Sequence, residues 1–258
     1  MNALRIGAIA KRHWWVLKRS PHRSFDIVLW PVVDTLTFGS LAIAYQSNQT
    51  RAFYVLAGVV LWHVLYQAQI AVSAGFLEET WSRNLLSLMV SPVSEAEYLL
   101  GTGLFGLLKL VLGVGGVALT ALICYSFDIS TLGIGLLPVI ALLLLCGWVI
   151  AMLVIGIVLR YGSGAEALVW GILFVLMPLS GTFFPVSALP GALQPVAQAL
   201  PTTHAFTAAR DLVDGGAYPW HEVLLSAGLT LLSAAAAVWY VTAMLRLFRR
   251  RGYVTRYS

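Results

Sequence analysis

Long hydrophobic runs, separated by short polar segments, make up most of this chain. Six of the runs reach the roughly 20 residues that a helix needs to cross the apolar core of a bilayer. The pattern therefore predicts six transmembrane helices joined by loops. The predicted spans are residues 25–45, 52–77, 98–125, 132–159, 165–184 and 223–245.

Composition favours a membrane protein over a soluble one. Hydrophobic residues make up 59% of the chain and charged residues only 10%, which leaves too little polar surface to cover a soluble globule. The sequence has no hydrophilic stretch long enough for a separate soluble domain. We therefore predict an all-α polytopic membrane protein in which residues 1–258 form a single transmembrane domain.

Lysine and arginine residues predict the orientation of the spans. They cluster at both ends of the chain, and Arg83 and Arg160 lie in loops that would be on the same side. Because short positively charged loops stay in the cytoplasm, an even number of spans places both termini there. This topology also explains the net charge of +5, so nucleic acid is not a predicted partner.

The first basic segment separates into two faces when residues 3–19 are placed on a helix. A helix of this kind lies in the interface plane of a membrane. We predict an interface helix within residues 1–23, either as a plain lipid anchor or as a surface that also contacts a cytoplasmic partner. The apolar face holds Ile6, Ile9, Ala10, Trp14, Val16 and Leu17, and the basic face holds Arg5, Lys11, Arg12, Lys18 and Arg19.

The loop between the second and third predicted spans carries a further helical signal. Four apolar residues recur at helical spacing before Pro92, and Ser94 followed by Glu97 forms a capping box that begins the next helix. A short amphipathic helix in region 78–97 has the shape that fits a groove on another protein, and a plain connecting loop is the alternative. The apolar residues are Trp81, Leu85, Leu88 and Met89.

Residues 180–201 are apolar but are interrupted by four prolines. Proline removes a helix hydrogen bond, and backbone freed at membrane depth must bond to protein or to water in a cavity. One continuous transmembrane helix is therefore excluded, and a pair of short re-entrant helices at one membrane face is predicted. The prolines are Pro185, Pro190, Pro195 and Pro201.

Taken in order, these features resemble the permease subunits of type-2 ABC transporters. Besides the basic entry helix and the six spans, two motifs carry the resemblance. The first is Ser91-Pro-Val-Ser-Glu-Ala-Glu-Tyr-Leu-Leu-Gly101, which is preceded by Glu-Glu and Arg83-Asn-Leu-Leu. The second is Phe-Phe-Pro-Val-Ser-Ala-Leu-Pro-Gly, which begins at Phe183. The resemblance covers essentially the whole chain. It implies a homodimer, or a pair with a close relative, in a bacterial inner membrane. It also implies export driven by ATP and Mg held on a separate ATPase subunit.

The resemblance also implies roles for three groups of residues. The ATPase-coupling region would contain Glu78, Glu79, Trp81, Arg83, Asn84, Leu85, Leu88 and Pro92. The interface helix beside it would present Arg5, Lys11, Arg12, Trp14, Lys18 and Arg19. An outer re-entrant gate, residues 183–221, would contain Phe183, Phe184, Pro185, Pro190, Pro195 and Pro201.

The chain itself lacks the sequence features of an ATPase. It has no Gly-x-x-x-x-Gly-Lys-Ser/Thr loop that could hold ATP phosphates. A partner subunit would have to supply the ATP-binding loop. Gly101-Thr-Gly-Leu-Phe-Gly106 matches a dinucleotide fingerprint, but it opens a membrane helix, where glycines more simply allow close packing. We therefore predict no catalytic centre, cofactor or metal site in this chain.

Polar residues within the spans are functional candidates because they are costly in a bilayer. Residue counts place Asp34 and Lys109 at similar depth, which predicts an ion pair between the first and third spans, ahead of a substrate contact for either. His63 and Gln67 give the second span polar positions that either bond neighbouring helices or face a hydrated path, and packing is the commoner outcome.

The cargo is predicted only as a class. A small lipophilic or glycolipid-like molecule, such as a drug, a polyketide or a lipid-linked saccharide, is favoured over a long polysaccharide. Aromatic residues in the spans that line the cavity of the resembled family would contact it. The candidates are Phe38, Trp62, Tyr66, Phe174 and Phe183.

Two other functions remain as alternatives at this point. An ion-coupled secondary transporter could use Asp34, His63 and Lys109 as a proton relay, but it predicts an internal repeat of broken spans, and only one broken region is seen. An intramembrane serine protease could use Ser163 and His63, but Ser163 falls in a predicted cytoplasmic turn, away from His63.

Overall fold

The computed structural model describes residues 2–19, 21–45, 49–81, 92 and 94–251, and this part of the chain is almost entirely helical. Short 3-10 turns cover Ile129–Leu132, Gly162–Ala165 and Val186–Ala188. The α-helices are α1 (Ala3–Arg19), α2 (Pro21–Tyr45), α3 (Gln49–Trp81), α4 (Glu95–Tyr125), α5 (Leu136–Tyr161), α6 (Leu168–Leu179), α7 (Gln194–Gln198), α8 (Pro201–Val213) and α9 (Trp220–Arg251).

Local sequence explains where several helices begin and end. Ser94 Oγ accepts a hydrogen bond from Glu97 N at 3.2 Å, and a Glu97 carboxylate oxygen accepts one from Ser94 N at 3.0 Å. The predicted capping box at the start of α4 is thus confirmed. Pro201 is the first residue of α8, where its missing N–H costs no helix bond.

Helix α3 lies at the centre of the bundle. It packs against α2, α4 and α5, and α5 packs in turn against α9 and α8. Of the apolar part of α3, 83% is buried, compared with 17% for α4, so α4 presents most of its surface outward. Leu61, Leu65, Leu143 and Phe206, from α3, α5 and α8, are fully buried together in the main core.

Four of the predicted spans coincide with helices that are long and apolar enough to cross a membrane. They are Ala52–Glu78, Leu100–Tyr125, Leu136–Tyr161 and Trp220–Leu247. The apolar part of α2 is shorter, Leu29–Ala44, and so is α6, Leu168–Leu179. The prediction of one long helix over residues 165–184 is therefore wrong. Helix α6 ends at Leu179, and Gly181 turns the chain with φ 61°.

Candidate transport site

The proline segment, residues 180–201, follows α6 as a turn, a short 3-10 turn and the five-residue helix α7. Helix α8 then begins at Pro201 and packs against α9, α5 and α3. Its apolar face, which includes Ala205, Phe206 and Ala209, is buried in the main core. The segment thus contains one short helix, α7, and a second short helix, α8, begins at its last residue. That the two are re-entrant at one membrane face stays a prediction. The surfaces of Pro185, Pro190 and Pro195 are exposed.

Side chains from α8 satisfy backbone carbonyl groups of the chain before it. Arg210 Nη1 donates to the carbonyl oxygen of Gly181, in the non-helical turn that follows α6. Arg210 Nη2 also donates to Thr207 Oγ1 at 2.9 Å. Thr203 Oγ1 donates to the carbonyl oxygen of Leu179 at 3.5 Å. These bonds meet the requirement that freed backbone must find partners.

Helix α8 is also fastened at its start. His204 Nε2 lies 2.9 Å from the carbonyl oxygen of Gln198, and His204 Nδ1 lies 2.7 Å from Glu222 Oε2 of α9. Ser226 Oγ donates to the carbonyl oxygen of Pro201 at 2.9 Å. Helix α9 therefore holds α8 through two side chains that are one helical turn apart.

The beginning of the proline segment packs against α2 and α3. The rings of Phe183 and Phe38 stack with their centroids 4.4 Å apart. Gly58 of α3 lies directly beneath Thr182, because a Cβ atom on Gly58 would collide with the carbonyl oxygen of Thr182. The start of the proline segment therefore packs on α3 through a glycine and on α2 through an aromatic pair.

A second freed carbonyl lies in α2, where Pro31 stands inside the helix. The carbonyl oxygen of Ile27, four residues earlier, accepts a hydrogen bond from Gln67 Nε2 of α3 at 3.3 Å. Gln67 therefore bonds a neighbouring helix, as the packing interpretation of its polarity predicted. Gln69 does the same, since its Nε2 donates to the carbonyl oxygen of Val169 at 3.0 Å.

The ion pair predicted between Asp34 and Lys109 is not formed among the described side chains. Asp34 Oδ2 lies instead 3.4 Å from His63 Nε2, and the Lys109 ammonium lies over the Phe105 ring, 5.0 Å from its centroid. The prediction is wrong because residue counting gives depth along a helix but not the direction of a side chain around it. Helix α3 packs against both α2 and α4 and supplies the partner.

Helix α1 packs against the start of α4. Its buried face is Ile9, His13 and Leu17, one residue per turn, and Ile9 approaches α4 closely. A Cβ atom on Gly101 would lie 2.7 Å from Ile9 Cβ, so glycine at this position permits the contact. The interpretation of Gly101 as a packing residue is confirmed. His13 adds a stacked ring contact with Phe105 at 5.5 Å, which the amphipathic pattern did not predict.

The remaining residues of α1 keep the charge pattern that the sequence indicates. Lys11, Lys18 and Arg19 are exposed, and so is Trp14, which the pattern placed on the apolar face. Arg12 is exposed as well. The contacts with α4 use only a narrow stripe of α1.

Glu97 ties the beginning of the chain to α4. It is buried, and a carboxylate oxygen accepts a hydrogen bond from Asn2 N at 2.7 Å in addition to the one from Ser94 N. These backbone N–H groups, Ser94 first, hold the pKa of Glu97 below its usual range. Arg5 Nη1 lies 3.6 Å from the same carboxylate and donates to the carbonyl oxygen of Pro92 at 2.5 Å.

Comparison with known proteins identifies the family of this bundle. The model of the ABC-2 type transporter family matches residues 5–213, from α1 through α8. The chain belongs to the ABC-2 type transporter family. It is similar to the daunorubicin resistance ABC transporter permease protein DrrB1 of Streptomyces coeruleorubidus. The two are 26% identical over 250 residues, which cover 93% of this chain and 85% of the relative.

This ABC-2 permease is therefore a multi-pass membrane subunit of a transporter and is not itself the catalytic subunit. The resemblance to type-2 ABC permeases that the two motifs predicted is confirmed. The match includes α1, the capping box at α4 and the proline segment, which are the elements described above.

The predicted coupling region of the permease lies partly outside the described residues. Arg83, Asn84, Leu85 and Leu88 are among residues 82–91, which are not described. Helix α3 continues through Glu78, Glu79 and Trp81, so these residues form its last turns and do not begin a separate helix. Trp81 Nε1 donates to Glu166 Oε2 at 2.9 Å, which joins the end of α3 to the turn before α6.

The fold places the aromatic residues proposed for a substrate path at separate sites, as two neighbouring pairs and an exposed residue on α6. Phe38 stacks on Phe183, while Trp62 is buried in the main core. Tyr66 packs at the edge of that core, with its ring 6.1 Å from the His63 ring. Phe174 is exposed on α6. A role in transport for any of them stays a prediction.

Sequence reasoning missed several residues that organise this site. Arg210 is one of them, although an arginine close to a proline-broken apolar segment can donate to the carbonyl groups of that segment. Glu222 was not singled out, although it stands at the start of the last span. Pro31 was overlooked within an otherwise uniform span, and it explains why α3 needs Gln67.

Proposed function

We propose that this permease is the membrane subunit of an ATP-driven exporter that moves an amphipathic substrate out of the cytoplasm or the inner leaflet. The arrangement of α7 and α8 carries the proposal. These helices are too short to span a membrane, and discrete side-chain bonds, such as that of Arg210 with the Gly181 carbonyl group, fasten them to the chain before α8. In the proposed exporter they would close the outer end of the bundle. A closure held by a few bonds can open when the helices beneath it move.

The cargo would be a drug-like, polyketide or glycolipid-like molecule. The name of the similar Streptomyces permease refers to daunorubicin resistance, and this supports a drug-like cargo for this chain also. The family membership supports a second permease copy or a close relative as the partner across the membrane. A bacterial inner membrane is the location that fits such a pair.

The ATP and its Mg would be bound by a separate ATPase subunit. Region 78–97 would dock on this subunit, since it joins α3 at the centre of the bundle to the start of α4. Glu97 and Arg5 would link α1 to the same region, so a movement of region 78–97 would reach both α1 and α3. Trp81 would carry the movement to the turn before α6 through Glu166.

The test is to purify the tagged permease gently from its native membranes and to identify the copurifying proteins by mass spectrometry. We expect an ABC ATPase and ATP hydrolysis in the purified material. We expect both to be lost when Arg83 and Leu85 are replaced by alanine. Ser187→Ala, an exposed position in the proline segment, is the matched control and should retain the complex. A stable permease without an ATPase would contradict the proposal.

Six crossings with both ends in the cytoplasm would complete this function. Helix α2 would cross as one helix, whereas α6 would cross together with the proline segment. Single cysteines can test this arrangement in right-side-out vesicles that also carry Cys124→Ala and Cys146→Ala. A cysteine at Ser187 should react with an impermeant maleimide and one at Glu166 should not. Reaction of both would exclude the proposed topology.

A further inference from the structure

One face of α2 carries a carboxylate among exposed apolar side chains. Trp30, Val33, Asp34, Thr37 and Leu41 recur at helical spacing, and each is exposed except Asp34, which is half-buried. Asp34 lies in the apolar part of α2, Leu29–Ala44. Because a carboxylate is costly against acyl chains, charged groups in spans face protein or a hydrated cavity. This face of α2, the Asp34 face, is therefore unsuited to contact lipid tails.

His63 lies behind Asp34 and contacts it. The Asp34 side chain is 43% exposed, while that of His63 is only 3% exposed. His63 Nδ1 lies 2.9 Å from the carbonyl oxygen of Val59, and a carbonyl oxygen only accepts, so Nδ1 donates to it. Nε2 faces the Asp34 carboxylate at 3.4 Å. The exposed part of this carboxylate is therefore open to a ligand on the outer face of α2.

We propose that the Asp34 face binds the ammonium group of an amphipathic organic cation, with Asp34 as the counter-charge. Trp30 lies one helical turn from Asp34 on the same face, and its exposed indole is suited to a cation–π contact. Val33 and Leu41 offer apolar surface to the rest of the molecule. The inference rests on the proposed export function, because it names the class of molecule that the same permease would move.

Other titratable groups lie on the helices that pack against α2. Tyr66 of α3 has its ring 6.1 Å from that of His63, and Lys109 of α4 lies over Phe105. Tyr125 of α4 donates to the carbonyl oxygen of Leu36 at 2.7 Å. Helix α1 ends beside the first turns of α2, with Lys18 and Arg19 in its last turn. Among these groups, His63 is the one in contact with Asp34.

The experiment uses the full-length permease in nanodiscs of zwitterionic lipid, without ATP. Two fluorescent ligands share one hydrophobic body, and one carries a trimethylammonium group where the other carries a neutral tert-butyl group. We expect tighter binding of the ammonium ligand, and Asp34→Asn should lower its affinity about tenfold, because the attraction between the carboxylate and the cation is lost. Affinity for the neutral ligand should not change. Because no ATP is used, failure to bind is distinct from failure to couple to an ATPase.

Two further variants separate recognition from a structural role. Thr37→Val is the matched control on the same face, where the hydroxyl donates to the Val33 carbonyl oxygen, and it should leave both affinities unchanged. Trp30→Leu should weaken binding of the ammonium ligand more than binding of the neutral ligand, because it removes the aromatic face beside the cation.

Specific results would overturn the inference. They are equal affinity of the wild type for both ligands, or equal loss of affinity for both ligands in Asp34→Asn. A change in Asp34→Asn of the oligomeric state alone, with ligand affinity preserved, would assign the carboxylate to contact with a second copy. If Asp34→Asn does not fold, the two-ligand comparison in the wild type and in Trp30→Leu still decides.

Discussion

His204 Nδ1 lies 2.7 Å from Glu222 Oε2, and this contact joins α8 to the first turn of α9. The other ring nitrogen, Nε2, lies 2.9 Å from the carbonyl oxygen of Gln198. Both ring nitrogens therefore face an acceptor, and the one nearer α9 faces the charged carboxylate. One side chain thus fastens α8 to α7 and to α9.

Replacing His204 with alanine should loosen α8. Loss of the bond to a charged partner and of the bond to the Gln198 carbonyl oxygen should lower stability by about 1–3 kcal/mol. Thermal unfolding of the purified permease measures this effect. His221→Ala is the control, because its exposed ring lies 3.3 Å from the same carboxylate but joins no second helix. Equal destabilisation by both substitutions would argue against the role of His204.

Arg210→Met should expose the proline segment to proteolysis. The substitution keeps most of the apolar stem of the side chain but leaves the Gly181 carbonyl group without its donor, at an expected cost of about 1–3 kcal/mol. Limited proteolysis followed by mass spectrometry should show faster cleavage between residues 183 and 200. Arg160→Met removes an exposed arginine that lies over the Tyr161 ring, and it should leave the cleavage rate unchanged.

Gly101→Ala should separate α1 from α4, whereas Gly103→Ala should not. A Cβ atom at Gly101 would meet Ile9 Cβ at 2.7 Å and the Ile6 carbonyl oxygen at 2.9 Å, but one at Gly103 would meet no described atom within 4 Å. Alanine at Gly103 should even stabilise α4 by up to about 1 kcal/mol, as it does in helix interiors. The midpoint temperature of thermal unfolding should thus fall in Gly101→Ala and rise in Gly103→Ala. Changes of the same sign in both variants would refute the packing role of Gly101.

Acid should release α1 from α4 through Glu97. Backbone N–H groups of Ser94 and Asn2 hold the folded pKa of Glu97 below its ordinary value of 4.5. The contribution of Glu97 to folding is therefore fully present when the pH is above the ordinary pKa. It is lost as the pH falls through the lower pKa of the folded state. Spin labels at Ala8 and Leu104, both exposed, can report the distance between the helices.

Glu97→Gln should lengthen this distance at neutral pH, because an amide cannot replace the carboxylate beside Arg5. The labels require a chain in which Cys124 and Cys146 are replaced, since both are free thiols. Glu166→Gln is the matched control, because Glu166 is not among the described contacts of α1 and bonds Trp81 instead. An unchanged distance in Glu97→Gln would show that Ile9 and its apolar neighbours suffice to hold α1.

Prediction from sequence succeeded where the signal is local. Ser94 and Glu97 are three residues apart, and the capping box they form depends on this spacing alone. Four predicted spans are also confirmed as long apolar helices, because a run of consecutive apolar residues is a local signal. Local features also showed that residues 180–201 could not be one helix, because each proline removes its own N–H wherever it stands.

The sequence by itself therefore determined the membrane class, most helices, the broken segment and the family of this protein. It required partners for the carbonyl groups that prolines set free, but it did not identify them. Only the tertiary structure decided that Arg210 bonds Gly181, that Gln67 bonds Ile27 and that Asp34 meets His63 instead of Lys109. Helical periodicity gives the height of a residue and its angle on its own helix. The contacts depend on how each helix is rotated against its neighbours, which packing of the whole bundle sets.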